Sequence, residues 1–180
     1  MPTSDLHNIA PIVEVAMQLQ PRSVLDLGMG SGKYGVLLRE YLDVARGRLT
    51  RKDWAVDIQG IEGFPQYIND LHRSVYTDID VEDFSDAKTW SMYAGFDLVM
   101  MIDSFEHIEK EKGRDLLGYL RQSNRRVLVS VPFGDNYLEQ GAVYGNEFER
   151  HRAHWQPHEF ISMGGTILHR GVCCVALFRP

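Results

Sequence analysis

The chain has 180 residues, of which 44% are hydrophobic and 24% charged, and its formal net charge is −6 at pH 7. This length and composition predict one globular domain spanning 1–180, and the acidic balance argues against a nucleic-acid partner held by bulk charge. No apolar run approaches the roughly 20 residues needed to span a bilayer, and the first residues lack the features of a signal peptide.

The first half of the chain alternates helix and strand. Apolar residues recur at helical spacing before Pro21, and short apolar runs bounded by turn residues follow. In chain order, this half is predicted to contain a helix within 1–20, a strand at Ser23–Leu27, a helix from Lys33, a strand at 54–61, a helix at 64–71 begun by Pro65, and a strand at 75–81.

The second half continues the alternation and then changes character. The predicted elements are a short helix at 87–93, a strand at 96–102, a helix at 109–122, a strand at 126–131, a long loop at 133–156, a helical turn at 157–163 and a hairpin of strands 166–169 and 173–179. A loop of this length in a compact domain is usually functional or mobile, so 133–156 is the candidate lid. Adjacent Cys173 and Cys174 point to opposite faces of a strand and do not pair, which favours a reducing, cytoplasmic setting.

Near-continuous apolar strands alternating with helices indicate a mostly parallel sheet covered on both faces. The sequence therefore predicts an α/β fold: a Rossmann-like, doubly wound, seven-stranded sheet in which the segment 157–180 supplies a C-terminal antiparallel hairpin. The core that binds a ligand would span 21–132. In such sheets the ligand lies at the carboxyl ends of the strands, near the switch in strand order.

Three glycines follow the first strand directly, and a helix begins immediately after them. Gly28, Gly30 and Gly32 let the backbone approach a ligand closely, and the helix N-terminus points its free N–H groups at the same place. A phosphate-binding P-loop is excluded, because Leu27 stands where its first glycine belongs and Tyr34 follows Lys33. Gly30-Ser-Gly32-Lys-Tyr-Gly35 formally matches a dinucleotide site, but Glu62 lies further along the chain than the roughly 20 residues typical of such sites.

Four stretches occur in the order seen in one enzyme family. They are Val24-Leu-Asp-Leu-Gly-Met-Gly-Ser-Gly32, Gly60-Ile-Glu62, Val81-Glu-Asp83-Phe84 and Phe96-Asp-Leu-Val-Met-Met-Ile-Asp103-Ser-Phe-Glu106-His107. Together they resemble the motifs of class I S-adenosylmethionine-dependent methyltransferases, of the Rossmann-like superfamily. The resemblance implies S-adenosylmethionine as cofactor and S-adenosylhomocysteine as product. The residues that it assigns to cofactor binding are Asp26, Gly28, Gly30, Gly32, Glu62, Asp83, Phe84 and Asp103.

The resemblance also implies a role for each carboxylate. Glu62 would accept hydrogen bonds from the two ribose hydroxyls, which suits its two oxygens. Asp83 would face the adenine amino group, with Phe84 bordering the ring. Asp26 and Asp103 suit the ammonium and sulfonium charges of the cofactor.

Two histidines are the candidate catalytic residues. His107 follows the fourth strand directly, and His151 lies in the long loop, so either side chain could take the proton from an acceptor hydroxyl. Asp103-x-x-Glu106-His107 also resembles the Glu-x-x-Glu-His set of small-RNA 3′-end methyltransferases, which use a divalent metal. Because Asp replaces the first Glu and the chain is acidic, we expect a site without a metal ligand set and keep the divalent metal as an alternative.

The expected function is methylation of an oxygen on a small-molecule or sugar (glycan) acceptor, with no membrane partner. Three alternatives stay open: a metal-dependent enzyme like the RNA 3′-end methyltransferases, an NAD-binding oxidoreductase using Gly30–Gly35, and a non-catalytic cofactor-binding module. The sequence leaves the oligomeric state open.

Overall fold

The computed structural model describes residues 4–134, 139–143 and 145–180. Seven strands form one sheet in the order β3-β2-β1-β4-β5-β7-β6. The strands are β1 Ser23–Leu27, β2 Asp57–Ile61, β3 Asp78–Asp80, β4 Leu98–Ile102, β5 Val127–Pro132, β6 Thr166–Arg170 and β7 Cys173–Phe178. The helices are α1 Ile9–Leu19, α2 Lys33–Leu42, α3 Asp70–Val75, α4 Lys110–Ser123 and α5 Pro157–Ser162.

The predicted fold class is confirmed. Strands β1 to β5 pair in parallel, and β7 runs antiparallel to both β5 and β6. The strand order reverses between β1 and β4, and Asp26 of β1 lies between Gly60 of β2 and Met100 of β4. The carboxyl ends of these three strands therefore open onto one crevice, where ligands of such sheets bind.

Apolar side chains cover both faces of the sheet. One core layer joins α4 and α5 to the sheet and includes the stacked rings of Phe105 and Trp155. The other joins α1, α2 and α3 to the opposite face and includes Leu38 and Tyr76. Every residue of β4 is buried, because it lies in the middle of the sheet with both faces covered. Among the residues that the structure describes, no helix is long and apolar enough to cross a membrane.

The single helix predicted at 64–71 is wrong. The chain forms a 3₁₀ turn at Pro65–Tyr67, continues in extended backbone at Ile68, and starts α3 only at Asp70. Asn69 sets this start, because its side-chain oxygen accepts a hydrogen bond from Leu71 N at 2.9 Å and caps the helix. The helix consequently extends to Val75, which the sequence pattern had placed in the following strand.

Strands β2 and β3 are much shorter than predicted, β4 begins only at Leu98, β7 ends at Phe178, and one predicted helix is a 3₁₀ turn. Ala55 N donates to the Asp43 carboxylate at 2.9 Å instead of to a neighbouring strand, so β2 begins at Asp57 and not at residue 54. The strand predicted at 75–81 keeps only Asp78–Asp80, which pair with β2 along one side. The segment predicted as a helix at 87–93 forms a 3₁₀ turn at Trp90–Tyr93.

The ring of Tyr76 occupies a space that two glycines leave open. A Cβ placed on Gly35 of α2 would lie 2.5 Å from ring carbons of Tyr76, and one on Gly60 of β2 would lie 3.0 Å from the ring. Tyr76 is 1% exposed. The contact between α2, β2 and the end of α3 therefore depends on the absence of two methyl groups.

We expect Gly35→Ala to destabilise the fold by about 1–3 kcal/mol, because the added methyl overpacks the Tyr76 ring. Gly118→Ala is the matched control, since Gly118 is also helical but nothing lies within 4 Å of an added Cβ. That variant should be neutral or more stable by up to about 1 kcal/mol, from helix propensity alone. Urea unfolding followed by circular dichroism measures both. Equal effects of the two substitutions would contradict the packing explanation.

Candidate functional site

A cavity of about 980 Å³ opens at the carboxyl ends of β1, β2 and β4. It brings together residues that are far apart in the chain, from the N-terminal segment to β7. The predicted site residues that line it are Asp26, Gly28, Gly30, Glu62, Asp83, Phe84, Asp103, His107 and His151.

The turn after β1 is held so tightly that no side chain fits at Gly28. Gly28 N and Met29 N both donate to the carbonyl of Ile61, at 2.9 and 3.1 Å. Gly28 has φ +78°, and a Cβ on it would lie 2.7 Å from Cβ of Ser104. Backbone atoms therefore form this part of the cavity wall.

Gly32 does not line the cavity. It is the N-cap of α2 with φ +77°, and a Cβ on it would lie 3.1 Å from the ring of His72. The structure thus gives Gly32 a position in which it closes the turn against α3, apart from the cavity wall.

Glu62 ties the turn to the end of β2. Its Oε2 accepts a hydrogen bond from Gly30 N and its Oε1 one from Phe64 N, both at 2.9 Å. The side chain is buried, and burial raises the pKa of Glu62 to about 7 although both backbone donors act in the opposite direction.

Asp26 is buried at the end of β1 and has a partner that sequence reasoning missed. The Tyr76 hydroxyl donates to Asp26 Oδ2 at 2.6 Å. Burial raises the pKa of Asp26 to about 6, and the bond from Tyr76 limits that rise. The signal that could have found Tyr76 is the pair Gly35 and Gly60, since glycine inside a helix and inside a strand marks a close approach of another group.

Asp83 and Phe84 lie on the cavity wall after β3. Asp83 Oδ1 accepts a hydrogen bond from Ser85 N at 2.9 Å. The Phe84 ring comes to 3.3 Å from the Cβ position of Gly28, so it stands beside the glycine turn. The indole N–H of Trp90 fixes the segment by donating to the Phe84 carbonyl at 3.2 Å.

Asp103 follows β4 with φ +50°, a conformation that costs energy for a residue other than glycine. Its Oδ1 accepts from the Ser130 hydroxyl at 2.6 Å and its Oδ2 from Asp5 N at 3.1 Å. Burial raises the pKa of Asp103.

Lys33 Nζ also holds the N-terminal segment, by donating to the Ser4 carbonyl at 2.7 Å. Sequence reasoning missed this segment as part of the cavity wall.

Glu106, His107 and His151 form a cluster at one side of the cavity. A ligand atom from each lies within 4.8 Å of the others, and the two imidazole centroids are 5.1 Å apart. Glu106 Oε2 is buried and has no hydrogen-bond partner in the part of the chain that the structure describes. Burial raises the pKa of Glu106 well above its usual value and lowers the pKa of His107 to about 4.

Backbone hydrogen bonds bring the long loop to this cluster. The Glu106 carbonyl accepts from Arg152 N and Ala153 N at 2.9 and 3.0 Å, and His107 Nδ1 lies 3.2 Å from the Arg150 carbonyl. His151 is thereby fixed beside His107 although it lies far along the chain. Residues 135–138 and 144 of the candidate lid lie outside the described residues.

Comparison with known proteins finds matches among solved structures. No protein-family model matches the chain, and no curated protein sequence matches it. The chain has the fold of three solved structures. The methyltransferase domain of bacterial CtHen1 has TM-score 0.61 and 17% identity, over 96% of this chain and 97% of that one.

The second structure is the N-terminal domain of EvdMO1 with S-adenosylhomocysteine bound, with TM-score 0.66 and 13% identity over 94% of this chain and 80% of that one. The third is an O-methyltransferase family protein from Burkholderia thailandensis, with TM-score 0.62 and 14% identity over 94% of this chain and 55% of that one. The chain therefore has the class I S-adenosylmethionine-dependent methyltransferase fold, as the sequence motifs predict.

The buried Glu62 carboxyl should make stability fall as the pH rises. Its pKa is about 7 in the folded chain against an ordinary value of 4.5. Ionising it therefore costs more free energy in the folded chain, and stability is lost as the pH rises from the lower value to the higher. Relative to Glu62→Gln, the wild-type free energy of unfolding should fall by up to about 3 kcal/mol across that window. Urea unfolding of both proteins at either end of the window measures this difference.

Asp26→Asn serves as an internal comparison. Folding raises the pKa of Asp26 from 3.8 to about 6. The free energy of unfolding of wild type relative to Asp26→Asn should therefore also fall as the pH rises, but at lower pH than for Glu62. The free energies of unfolding of wild type and Glu62→Gln are compared at both ends of the Glu62 pH window. If their difference is the same at both ends, the desolvation of Glu62 is contradicted.

Proposed function

We propose that the protein is an S-adenosylmethionine-dependent methyltransferase that methylates an oxygen of a small-molecule or sugar acceptor. The observation that carries the proposal is the convergence of the glycine turn, Glu62, Asp83 and Asp103 on one cavity. These residues come from the ends of successive strands, in the order that the methyltransferase motifs have in the sequence.

The residues present fit the cofactor. At Gly28 a Cβ would collide with Ser104, so the turn presents backbone atoms to the cavity, and Glu62 offers two carboxylate oxygens to a pair of hydroxyls. Asp26 and Asp103 would hold the cationic methionine end, and Asp83 with Phe84 the adenine. Bound S-adenosylmethionine would supply an electrophilic methyl group on a sulfonium.

The cavity extends past the proposed cofactor residues toward the Glu106, His107 and His151 cluster, where an acceptor would bind. Its wall there includes Ile108, Val143, His107 and His151. A similar domain, that of EvdMO1, was crystallised in the presence of S-adenosylhomocysteine and D-fucose, which supports a sugar-sized acceptor. Catalysis would rest mainly on orienting the acceptor oxygen, with His107 or His151 receiving its proton.

Glu62→Ala should weaken S-adenosylhomocysteine binding by about 1–3 kcal/mol, because two hydrogen bonds to a charged group are lost. Isothermal titration calorimetry measures this, and Glu40→Ala, an exposed carboxylate on α2, is the control that should bind like wild type. NAD in place of S-adenosylhomocysteine should give no binding heat.

Binding of NAD alone would overturn the proposal in favour of an oxidoreductase. Binding of S-adenosylhomocysteine by a protein that consumes no methyl donor with any sugar or hydroxylated metabolite tested would favour the non-catalytic module. An unchanged affinity in Glu62→Ala would remove Glu62 from the binding site.

The Glu106, His107 and His151 cluster supports a second candidate, a methyltransferase of the same fold that requires a divalent metal. The donor set suits an ion such as Mn²⁺, Fe²⁺ or Zn²⁺, since it combines one carboxylate with two imidazoles. Glu106 Oε2, buried without a partner among the described residues, fits a cation as well. A metal there would act as a Lewis acid on an acceptor hydroxyl.

Mn²⁺ should then bind to the wild-type protein, and His151→Ala should weaken that binding by at least about tenfold, since even residues that only orient a metal ligand contribute that much. His154→Ala is the matched control, because this exposed histidine comes from the same segment and lies outside the cluster. Calorimetry with Mn²⁺ measures all three proteins. Absence of binding to wild type would eliminate the metal-dependent candidate and leave the histidines as candidate bases.

A further inference from the structure

Helix α3 and the residue that follows it support the glycine turn through two side chains, His72 and Tyr76. His72 Nε2 lies 3.0 Å from the Gly30 carbonyl, and the Tyr76 hydroxyl donates to Asp26 Oδ2 at 2.6 Å. The two rings stack with centroids 6.2 Å apart. Gly35 and Gly60 leave the space that the Tyr76 ring fills, so packing fixes the position of this side chain.

The surroundings of Asp26 make Tyr76 its decisive partner. The ionisable groups near Asp26 are Tyr76 directly after α3, Tyr34 from α2 and Glu62 after β2. Burial raises the pKa of both tyrosines, so both phenols are neutral, and Glu62, when ionised, carries the same charge as Asp26. Within the described residues, the bond from Tyr76 is the one hydrogen bond that reaches the Asp26 side chain.

We propose that Tyr76 is a positioning residue for cofactor binding: its hydroxyl fixes the Asp26 carboxylate at the cavity wall, where it accepts the ammonium group of the cofactor. This inference rests on the proposed function. It adds a residue that lies outside the cavity lining and acts only through Asp26.

Loss of the Tyr76 hydroxyl would change the pKa of Asp26, an effect that packing alone would not produce. A hydrogen bond donated to a carboxylate favours its ionised form, and without it the pKa of Asp26 would rise further above its usual range. Asp26 would then be protonated, and its attraction for the ammonium group of the ligand lost, at a higher pH than in wild type.

The test is calorimetric titration of S-adenosylhomocysteine into wild type and Tyr76→Phe from about pH 5.5 to about pH 8. This range spans the transitions of Asp26 and Glu62, and Glu62 is the same in both proteins. Tyr76→Phe keeps the ring and removes only the hydroxyl. Affinity at neutral pH should fall by about tenfold, as for loss of one hydrogen bond to a charged group, and the decline on acidification should begin at higher pH. Tyr93→Phe is the matched control, since Tyr93 is also buried but its hydroxyl bonds Thr89 at 2.9 Å.

A double-mutant cycle separates positioning from packing. In an Asp26→Asn background, Tyr76→Phe should change the affinity by less than about twofold, because the carboxylate through which Tyr76 acts is gone. An unshifted pH profile, or an undiminished effect in the Asp26→Asn background, would overturn the positioning role. Failure of wild type to bind S-adenosylhomocysteine would instead overturn the proposed function, so the two failures are distinguishable.

Discussion

The site depends on one close approach, in which the backbone after β1 passes between the end of β2 and the residue that follows Asp103. Both amides at Gly28 and Met29 are bound to the Ile61 carbonyl, and Ser104 leaves no room for a Cβ on Gly28. Because the turn is this narrow, the ends of β1, β2 and β4 come together. Backbone atoms and the side chains at those strand ends therefore face one cavity.

Burial of acidic side chains is the electrostatic counterpart of this geometry. Asp26, Glu62 and Glu106 are buried and Asp103 is half-buried, all at or just after the ends of strands, and desolvation raises the pKa of each. Desolvation of a carboxylate is costly unless hydrogen bonds or a cation compensate for it. Tyr76 and backbone amides compensate in part, and a positively charged ligand would complete the compensation. Such a wall is suited to a cationic cofactor.

Segments remote in sequence complete the cavity. The N-terminal segment reaches Asp103 through the amide of Asp5, and the loop after β5 reaches Glu106 through the amides of Arg152 and Ala153. Each contact uses a main-chain amide of the remote segment, so it imposes little demand on the residue type in that segment. They bring His107 and His151 to the wall of the cavity.

The sequence by itself determined the α/β class, the glycine turn and the acidic residues at the strand ends, because period, glycine spacing and strand-end position are local features. Helix α3 was misplaced, since the pattern of apolar residues concealed the cap at Asn69. Only the tertiary structure brought Tyr76 to Asp26 and His151 to His107. Those pairings depend on how elements pack across the sheet, and no local pattern encodes the distance between side chains that are far apart in the chain.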